Sequence, residues 1–425
     1  MSKSLIIDNY LTGIRMAHHN LMAEGPLWNR NFLIWWLGSA QSALGSALAG
    51  IALSFLVLKQ TGSAGAMGVT LALTLLPALL APLFGTLVDR LPILPPLLAS
   101  NLLRAALQLG VGFAVLNGTV PIPVLNVLAL LGGLATAFYT VAVMGVTARL
   151  VPTSQRQRAI GLMQGSAQAM TLLGLVGGGL LISRVGSGAA LIFDGMTFAV
   201  FALLLPLVRF PARGPKKVRG GFWAEFGEGL RYAASSPVIW GLPLIALFIN
   251  AALVPMELLL PKRMLALGAG AAGYGLFFGL LEAGMIVGSL GMAWLNDRVP
   301  IHLSSVYGTC GMGLCILALA STQTTTPMYA LAVVLGFLGA VTNISVMGIF
   351  QNRVAHEYYG RVGSLLNMVG TAGQPLTLLA LAPVADHVSI ALIFAVAGVV
   401  TLLGAAGWSV LLRAERATVP PALPA

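Results

Sequence analysis

Four ionisable side chains stand apart because each lies inside a long apolar run of the sequence. They are Arg104, Asp194, Glu257 and Glu282. A charge at membrane depth is costly unless a partner, water or a bound ion compensates it. Carboxylates in such surroundings are candidates for binding and releasing protons. An arginine keeps its proton, so it must face a carboxylate, a water-filled cavity or an anionic ligand.

Glu282 is the strongest candidate for carrying a proton. It lies about twelve residues into the run 270–295, which at ~1.5 Å per residue is ~18 Å deep. The alternative is a structural glutamate hydrogen-bonded to a neighbouring helix. Asp194 is a possible partner for Arg104, but its position nearer the outer face favours a structural role. Glu257 lies near the outer end of its run, which favours a role in lining a solvated vestibule.

Composition decides which elements must hold these residues. The chain has 425 residues, of which 58% are hydrophobic and only 8% charged, and this excludes a soluble protein. A bilayer core takes about 20 apolar residues per helix. Continuous runs rich in Leu, Ala and Gly favour helices over barrel strands. We count twelve runs: 32–58, 64–88, 93–116, 121–147, 159–183, 188–208, 238–260, 270–295, 301–321, 327–350, 362–385 and 389–412.

The net charge of +11 reports topology rather than nucleic-acid binding. In a twelve-span arrangement, eighteen Lys and Arg residues fall on one side and four on the other. The positive-inside rule therefore predicts that both termini lie in the cytoplasm. The four residues expected outside are Lys59, Arg184, Lys262 and Arg263.

A long charged segment divides six runs from six. The predicted organisation is a cytoplasmic segment 1–30, a six-helix half 31–208, a linker 209–237, a second six-helix half 238–412 and a cytoplasmic tail 413–425. Within the linker, Phe222, Trp223, Phe226 and Leu230 recur at helical spacing and indicate an amphipathic surface helix. Residues 1–30 are equally compatible with a short interfacial helix and an unstructured tail.

The two halves share short matching segments. "GTLVDRLPI" at 85–93 matches "AWLNDRVPI" at 293–301, an offset of 208. A second match, at an offset of 203, pairs 143–145 with 346–348 and Arg158 with Arg361. Two matches in the same order favour an internal duplication. Repeats of this kind are typical of secondary transporters, whose substrate lies between the halves.

The chain resembles the major facilitator superfamily, because "GTLVDR" is similar to that family's Gly-x-x-x-Asp-Arg turn between spans 2 and 3. Leu91, Pro92 and Ala293 depart from the pattern. The resemblance implies an all-α integral membrane protein with twelve transmembrane helices in two pseudo-symmetric halves. The segments "NRNFLIWWLGSAQSALGSALAGIALSFLVLKQTGSA", "LVPTSQRQRAIGLMQG" and "EYYGRVGSLLN" resemble the drug:proton antiporter branch that holds macrolide and enterobactin-type siderophore exporters.

The same resemblance implies a cytoplasmic gate latch that favours the outward-facing state. In this latch, Asp89 would accept hydrogen bonds from a neighbouring helix N-terminus or pair with an arginine such as Arg361. The alternative is that the turn only anchors the membrane topology through its positive charge. The gate-turn residues are Gly85, Asp89, Arg90, Asp297, Arg298, Arg158 and Arg361. The branch's span 5 signature is only partly present, since Gly179 stands where Pro is expected. Close helix packing explains "GLVGGG" at 174–179 better than phosphate binding does.

A mostly apolar cavity with few polar groups suits bulky amphipathic compounds. The cavity candidates are Trp36, Gln41, Gln108, Tyr139, Gln168, Asn250 and Asn343. We expect a monomeric, lipid-embedded exporter of drug-like molecules in a bacterial inner membrane, with protons as coupling ion. We expect no enzymatic activity, cofactor, metal or nucleic-acid partner. The alternatives are export of a siderophore, whose anionic group Arg104 would bind, or of a lipid-like metabolite, and, less favoured, a non-transporting receptor or assembly subunit.

Overall fold

The computed structural model describes residues 26–88, 90–210, 222–234, 236–295 and 298–418, and these form helices without a strand. The first half contains α1 Arg30–Thr61, α2 Ala64–Leu75, α3 Ala81–Val88, α4 Leu94–Asn117, α5 Ile122–Ala142, α6 Val146–Leu150 and α7 Arg156–Leu204. The remainder contains α8 Phe222–Ala233, α9 Pro237–Ala266, α10 Gly270–Leu295, α11 Ile301–Ser321, α12 Thr325–Arg353, α13 Tyr359–Leu381 and α14 Ile390–Thr418. The predicted interfacial helix near the N-terminus lies outside the described residues.

Local capping fixes where span 1 begins and ends and where span 2 begins. The Asn29 side chain accepts a hydrogen bond from the backbone N–H of Phe32 at 2.9 Å and so caps α1. Gly62 ends that helix with φ 67°, a left-handed conformation that glycine adopts without a Cβ clash. Ser63 then caps α2. Span 2 continues from α2 through a short 3-10 segment, Leu76–Leu80, into α3.

Nine stretches of the described residues are long and apolar enough to cross a membrane. The longest of them covers Thr153–Leu207 and contains Gly186, whose φ of 84° and ψ of 172° break the helix. It therefore holds two successive spans, in agreement with runs 159–183 and 188–208. Span 2, split by its 3-10 segment, and α13 complete an arrangement that fits the twelve predicted runs.

The two halves share a buried apolar core at one end of the molecule only. The shared cluster joins Leu58 and Met67 of the first half to Met264 and Phe277 of the second. We name this the Asp386 end, after a loop residue that lies there. At the other end, each buried cluster among the described residues contains residues of one half, apart from Ala233 of the linker in the cluster of the second half and Leu27 of the N-terminal segment in one cluster of the first. We name it the arginine-rich end, after Arg149, Arg156, Arg158, Arg353 and Arg361. The halves are therefore packed together at the Asp386 end and separate at the arginine-rich end.

Candidate functional site

Two aromatic rings lie against the guanidinium group of Arg104. The ring centroids of Tyr139 on α5 and Phe198 on α7 each lie 4.1 Å from its Cζ. Its Nη2 donates to the side-chain oxygen of Asn101, one turn earlier on α4, at 2.9 Å. The residue is 6% exposed, and its Nε has no partner among the described residues. Two cation–π contacts of about 0.5–2 kcal/mol each therefore fix a permanent positive charge in place.

Asp194 is buried on the part of α7 that follows Gly186. Its carboxylate accepts a hydrogen bond from the Gln108 side chain on α4 at 2.9 Å. A Cβ at Gly45 of α1 would lie 2.6 Å from its Oδ1, so the absence of a side chain there makes room for the carboxylate. A second, longer hydrogen bond runs from the Thr197 hydroxyl to Oδ1 at 3.5 Å. Asp194 is thus held between α1 and α4 and accepts two charge-assisted hydrogen bonds.

A cavity of about 330 Å³ brings the charged candidates together. Arg104, Gln108 and Asp194 line it, and its remaining walls are mostly Leu, Val and Ala side chains of α1, α2, α4, α5 and α7. Among the described lining residues, Glu257 of α9 belongs to the second half and the others belong to the first. The cavity therefore presents two carboxylates from opposite halves and one guanidinium on an otherwise apolar surface.

The second half encloses a larger cavity of about 670 Å³. Its described lining contains no charged side chain. The predicted candidates Asn250 and Asn343 lie on it together with Asn367 and Gln374, which were not among the predicted cavity residues. Methionines and leucines and one phenylalanine, Phe350, complete much of the wall. Four carboxamides on an apolar surface suit the hydroxyl and carbonyl groups of an uncharged compound.

Glu282 occupies a different place from the other acidic candidates. Its Oε2 accepts a hydrogen bond from the side chain of Gln168, so this contact joins α10 of the second half to α7 of the first. Glu282 is half-buried and is not on the described lining of either cavity. Its position along the sequence already predicted a greater depth than that of Asp194 or Glu257, and the fold places it away from the cavity that those two residues line.

Two predicted cavity residues are engaged in packing within the first half. The indole N–H of Trp36 donates to the Ser166 hydroxyl at 2.9 Å. The Gln41 side chain donates to the backbone carbonyl of Thr197 at 3.3 Å. Both contacts join α1 to α7, and neither residue is on the described lining of a cavity.

The gate turns are only partly described. Asp89 and Asp297 lie outside the described residues. Arg361, the predicted partner of Asp89, forms an ion pair at 3.1 Å with Glu228 of the linker helix α8. The Arg298 guanidinium lies 5.9 Å from the ring centroid of Trp294. The latch prediction therefore stays a prediction.

A signal for the missed amide residues was present in the sequence. Asn367, Thr371 and Gln374 follow one another at spacings of four and three residues, which places them on one face of α13. A polar face on an apolar helix indicates a cavity or a partner helix. Among the residues that the structure describes, no group of three or more His, Cys, Asp or Glu side chains could hold a metal ion.

Known efflux proteins resemble this chain over most of its length. Macrolide efflux protein A of Streptococcus pyogenes is 23% identical over 372 residues, which cover 85% of this chain and 91% of that protein. Multidrug efflux pump Tap of Mycobacterium tuberculosis is 28% identical over 358 residues, covering 81% and 84% respectively.

Solved structures share the fold at low identity. The nucleoside transporter NupG has a TM-score of 0.74 at 10% identity and covers 91% of this chain and 100% of its own. A bacterial homologue of the iron transporter ferroportin, in an inward-facing state, has a TM-score of 0.72 at 16% identity, covering 89% and 98%. The sequence profile of the Major Facilitator Superfamily matches residues 35–378. The chain therefore belongs to the Major Facilitator Superfamily and is a multi-pass membrane transporter rather than an enzyme.

Proposed function

We propose that the protein exports amphipathic small molecules across a bacterial inner membrane by alternating access, in exchange for protons. The arginine-rich end is assigned to the cytoplasm, because positive charge accumulates on that side of membrane proteins. With this assignment, halves packed at the Asp386 end and separate at the arginine-rich end correspond to an inward-facing state. The efflux activities named for the two relatives support the direction of transport.

The observation that carries the proposal is the cavity shared by Asp194, Glu257 and Arg104. Two ionised carboxylates and one guanidinium leave a single negative charge on an otherwise apolar surface. Such a charge is costly at membrane depth, and one bound proton removes it. Because the carboxylates come from opposite halves, their separation changes whenever the halves move. Proton binding is thereby linked to the conformation of the transporter.

The larger cavity is the proposed site for the bulk of the substrate. Its volume of about 670 Å³ lies within the range of about 300–1,000 Å³ for ligand pockets. Its carboxamides match the hydroxyl and carbonyl groups of an oxygen-rich ring compound such as a macrolide. The siderophore alternative receives less support, since the two carboxylates near Arg104 oppose an anionic ligand.

The test measures macrolide uptake into proteoliposomes with an acidic interior. Wild-type protein should first be stabilised against heat by the same macrolide, because only a bound ligand raises stability by mass action. Asp194→Asn and Glu257→Gln should reduce accumulation to the level reached without a pH gradient. Macrolide exchange down its own gradient should survive, because the larger cavity is unchanged.

Glu282→Gln is the matched control, since it removes a carboxylate that is not on the shared cavity. We expect this variant to retain uptake driven by the pH gradient. If Glu282→Gln alone abolished that uptake, the coupling site would be the Glu282–Gln168 contact. Absence of macrolide stabilisation and of uptake in the wild-type protein would contradict export of macrolide-like compounds.

A further inference from the structure

The carboxylate of Asp386, in the loop between α13 and α14, accepts four hydrogen bonds. Its Oδ1 accepts from the backbone N–H of Ala64 at 2.9 Å and from Nζ of Lys262 at 2.8 Å. Its Oδ2 accepts from the backbone N–H of Gly65 at 3.0 Å and from the hydroxyl of Ser63 at 2.5 Å. Three of the four donors belong to the first half, whereas Asp386 belongs to the second.

These donors form the N-terminus of α2. The first amides of a helix have no intrahelical acceptor and carry a partial positive charge, so they favour a carboxylate. Ser63 supports this arrangement, since its hydroxyl also accepts a hydrogen bond from Ala66 N–H at 3.0 Å. Burial raises the pKa of Asp386, but the hydrogen bonds from Lys262, Ser63, Gly65 and Ala64 outweigh it and hold that pKa well below its ordinary value. The interaction is therefore one of a fully ionised group.

Close backbone packing surrounds the contact. A Cβ at Gly65 would lie 2.3 Å from the carbonyl oxygen of Ala382, at the end of α13. The N-terminus of α2 and the C-terminal end of α13 therefore touch directly. This approach is possible only while the halves are packed together at the Asp386 end, because the two segments lie more than 300 residues apart in different halves.

We infer that Asp386 and the N-terminus of α2 form an outer latch that stabilises the inward-facing state. The latch is the counterpart of the gate turn predicted from the sequence. Asp89 follows span 2 and is predicted to act near Arg361 at the start of α13, whereas Asp386 follows α13 and meets the start of α2. Asp89, at the end of span 2, would then contact the start of α13 at the cytoplasmic face. Asp386, at the end of α13, contacts the start of α2 at the outer face.

The inference rests on the proposed alternating-access mechanism. The experiment distinguishes a failure of the latch from a failure of that mechanism. Spin-label pairs at Lys59 and Gln323, and at Arg90 and Glu357, report distances between the halves at the Asp386 end and at the arginine-rich end. Both pairs are introduced in protein lacking Cys310 and Cys315 and measured without substrate. Asp386→Asn should reduce the ratio of closed to open Asp386 ends roughly tenfold, because charge-assisted bonds to the helix N-terminus are lost.

Lys262→Gln is the matched control. Lys262 contacts the same carboxylate but belongs to the same half as Asp386, so its bond does not separate when the halves part. We expect a smaller shift from Lys262→Gln than from Asp386→Asn. An equal shift in both variants would overturn the latch, because the contact would then act within one half.

Two further variants, Ser63→Ala and Gly179→Ala, keep the latch testable whatever the effect of Asp386→Asn on folding. If Asp386→Asn does not fold, Ser63→Ala removes one bond between the halves and should shift the ratio in the same direction. Gly179→Ala separates the halves by steric contact at another place. If Gly179→Ala opens the Asp386 end and Asp386→Asn does not, the latch is wrong and alternating access stands. If no variant changes either distance, both the latch and alternating access are contradicted.

Discussion

The close packing of α7 against α10 at Gly179 yields a sharp prediction about the conformational balance. A Cβ on Gly179 of α7 would lie 2.5 Å from the carbonyl oxygen of Ala271 and 3.1 Å from Cα of Gly275, both on α10 of the other half. Gly179→Ala therefore inserts a methyl group into the contact between halves. Gly177, two residues earlier, has open space within 4 Å and provides the matched control, Gly177→Ala.

The magnitude follows from the distances. Carbon and oxygen meet at about 3.3–3.6 Å, so the helices must separate by roughly 1 Å. Overpacking of this size costs about 1–3 kcal/mol. The cost arises only while the halves are packed at this end, so we expect the population of that state to fall about 5- to 150-fold relative to the opposite state.

The assay is the distance distribution between spin labels at Lys59 and Gln323 in detergent or nanodiscs. Gly179→Ala should broaden the distribution toward longer distances, whereas Gly177→Ala should match the wild-type protein. Equal distributions in the two variants would refute the reasoning, since they would show that the contact between α7 and α10 does not limit the packed state.

Two further predictions concern the Asp386 end and the topology. Since the pKa of Asp386 is lowered, its stabilising contribution is complete above the ordinary carboxyl pKa of about 3.9 and is lost only as the pH falls through the lowered value. The difference between wild type and Asp386→Asn in the Lys59–Gln323 distances should therefore stay constant from about pH 8 to pH 5; a difference that shrinks in this range would contradict the assignment. Cysteines replacing Lys59 and Arg90, in protein lacking Cys310 and Cys315, should react with an impermeant reagent from opposite sides of the membrane, and reaction from the same side would contradict the twelve-span topology.

Sequence alone was sufficient for the fold and for identifying the unusual charges. Apolar runs of about 20 residues specify membrane helices, because only helices and closed barrels satisfy the backbone in a bilayer and barrel strands are shorter and alternate in polarity. A charge within such a run is visible from its position, so Arg104 and Asp194 could be selected without coordinates. The Gly-rich segment at 174–179 likewise predicted close packing, and Gly174, Gly178 and Gly179 approach neighbouring helices.

The tertiary structure decided which of these residues meet. Depth along a helix does not specify its rotation or its neighbours, so Glu257 and Asp194 could not be placed on the same cavity from the sequence. For the same reason Glu282 could not be paired with Gln168. No sequence pattern pointed to a role for Asp386. A carboxylate in a loop acquires a specific partner only when the fold brings a helix N-terminus from the other half to it. Contacts between segments more than 300 residues apart depend on how the two halves pack, and that packing is a property of the whole molecule.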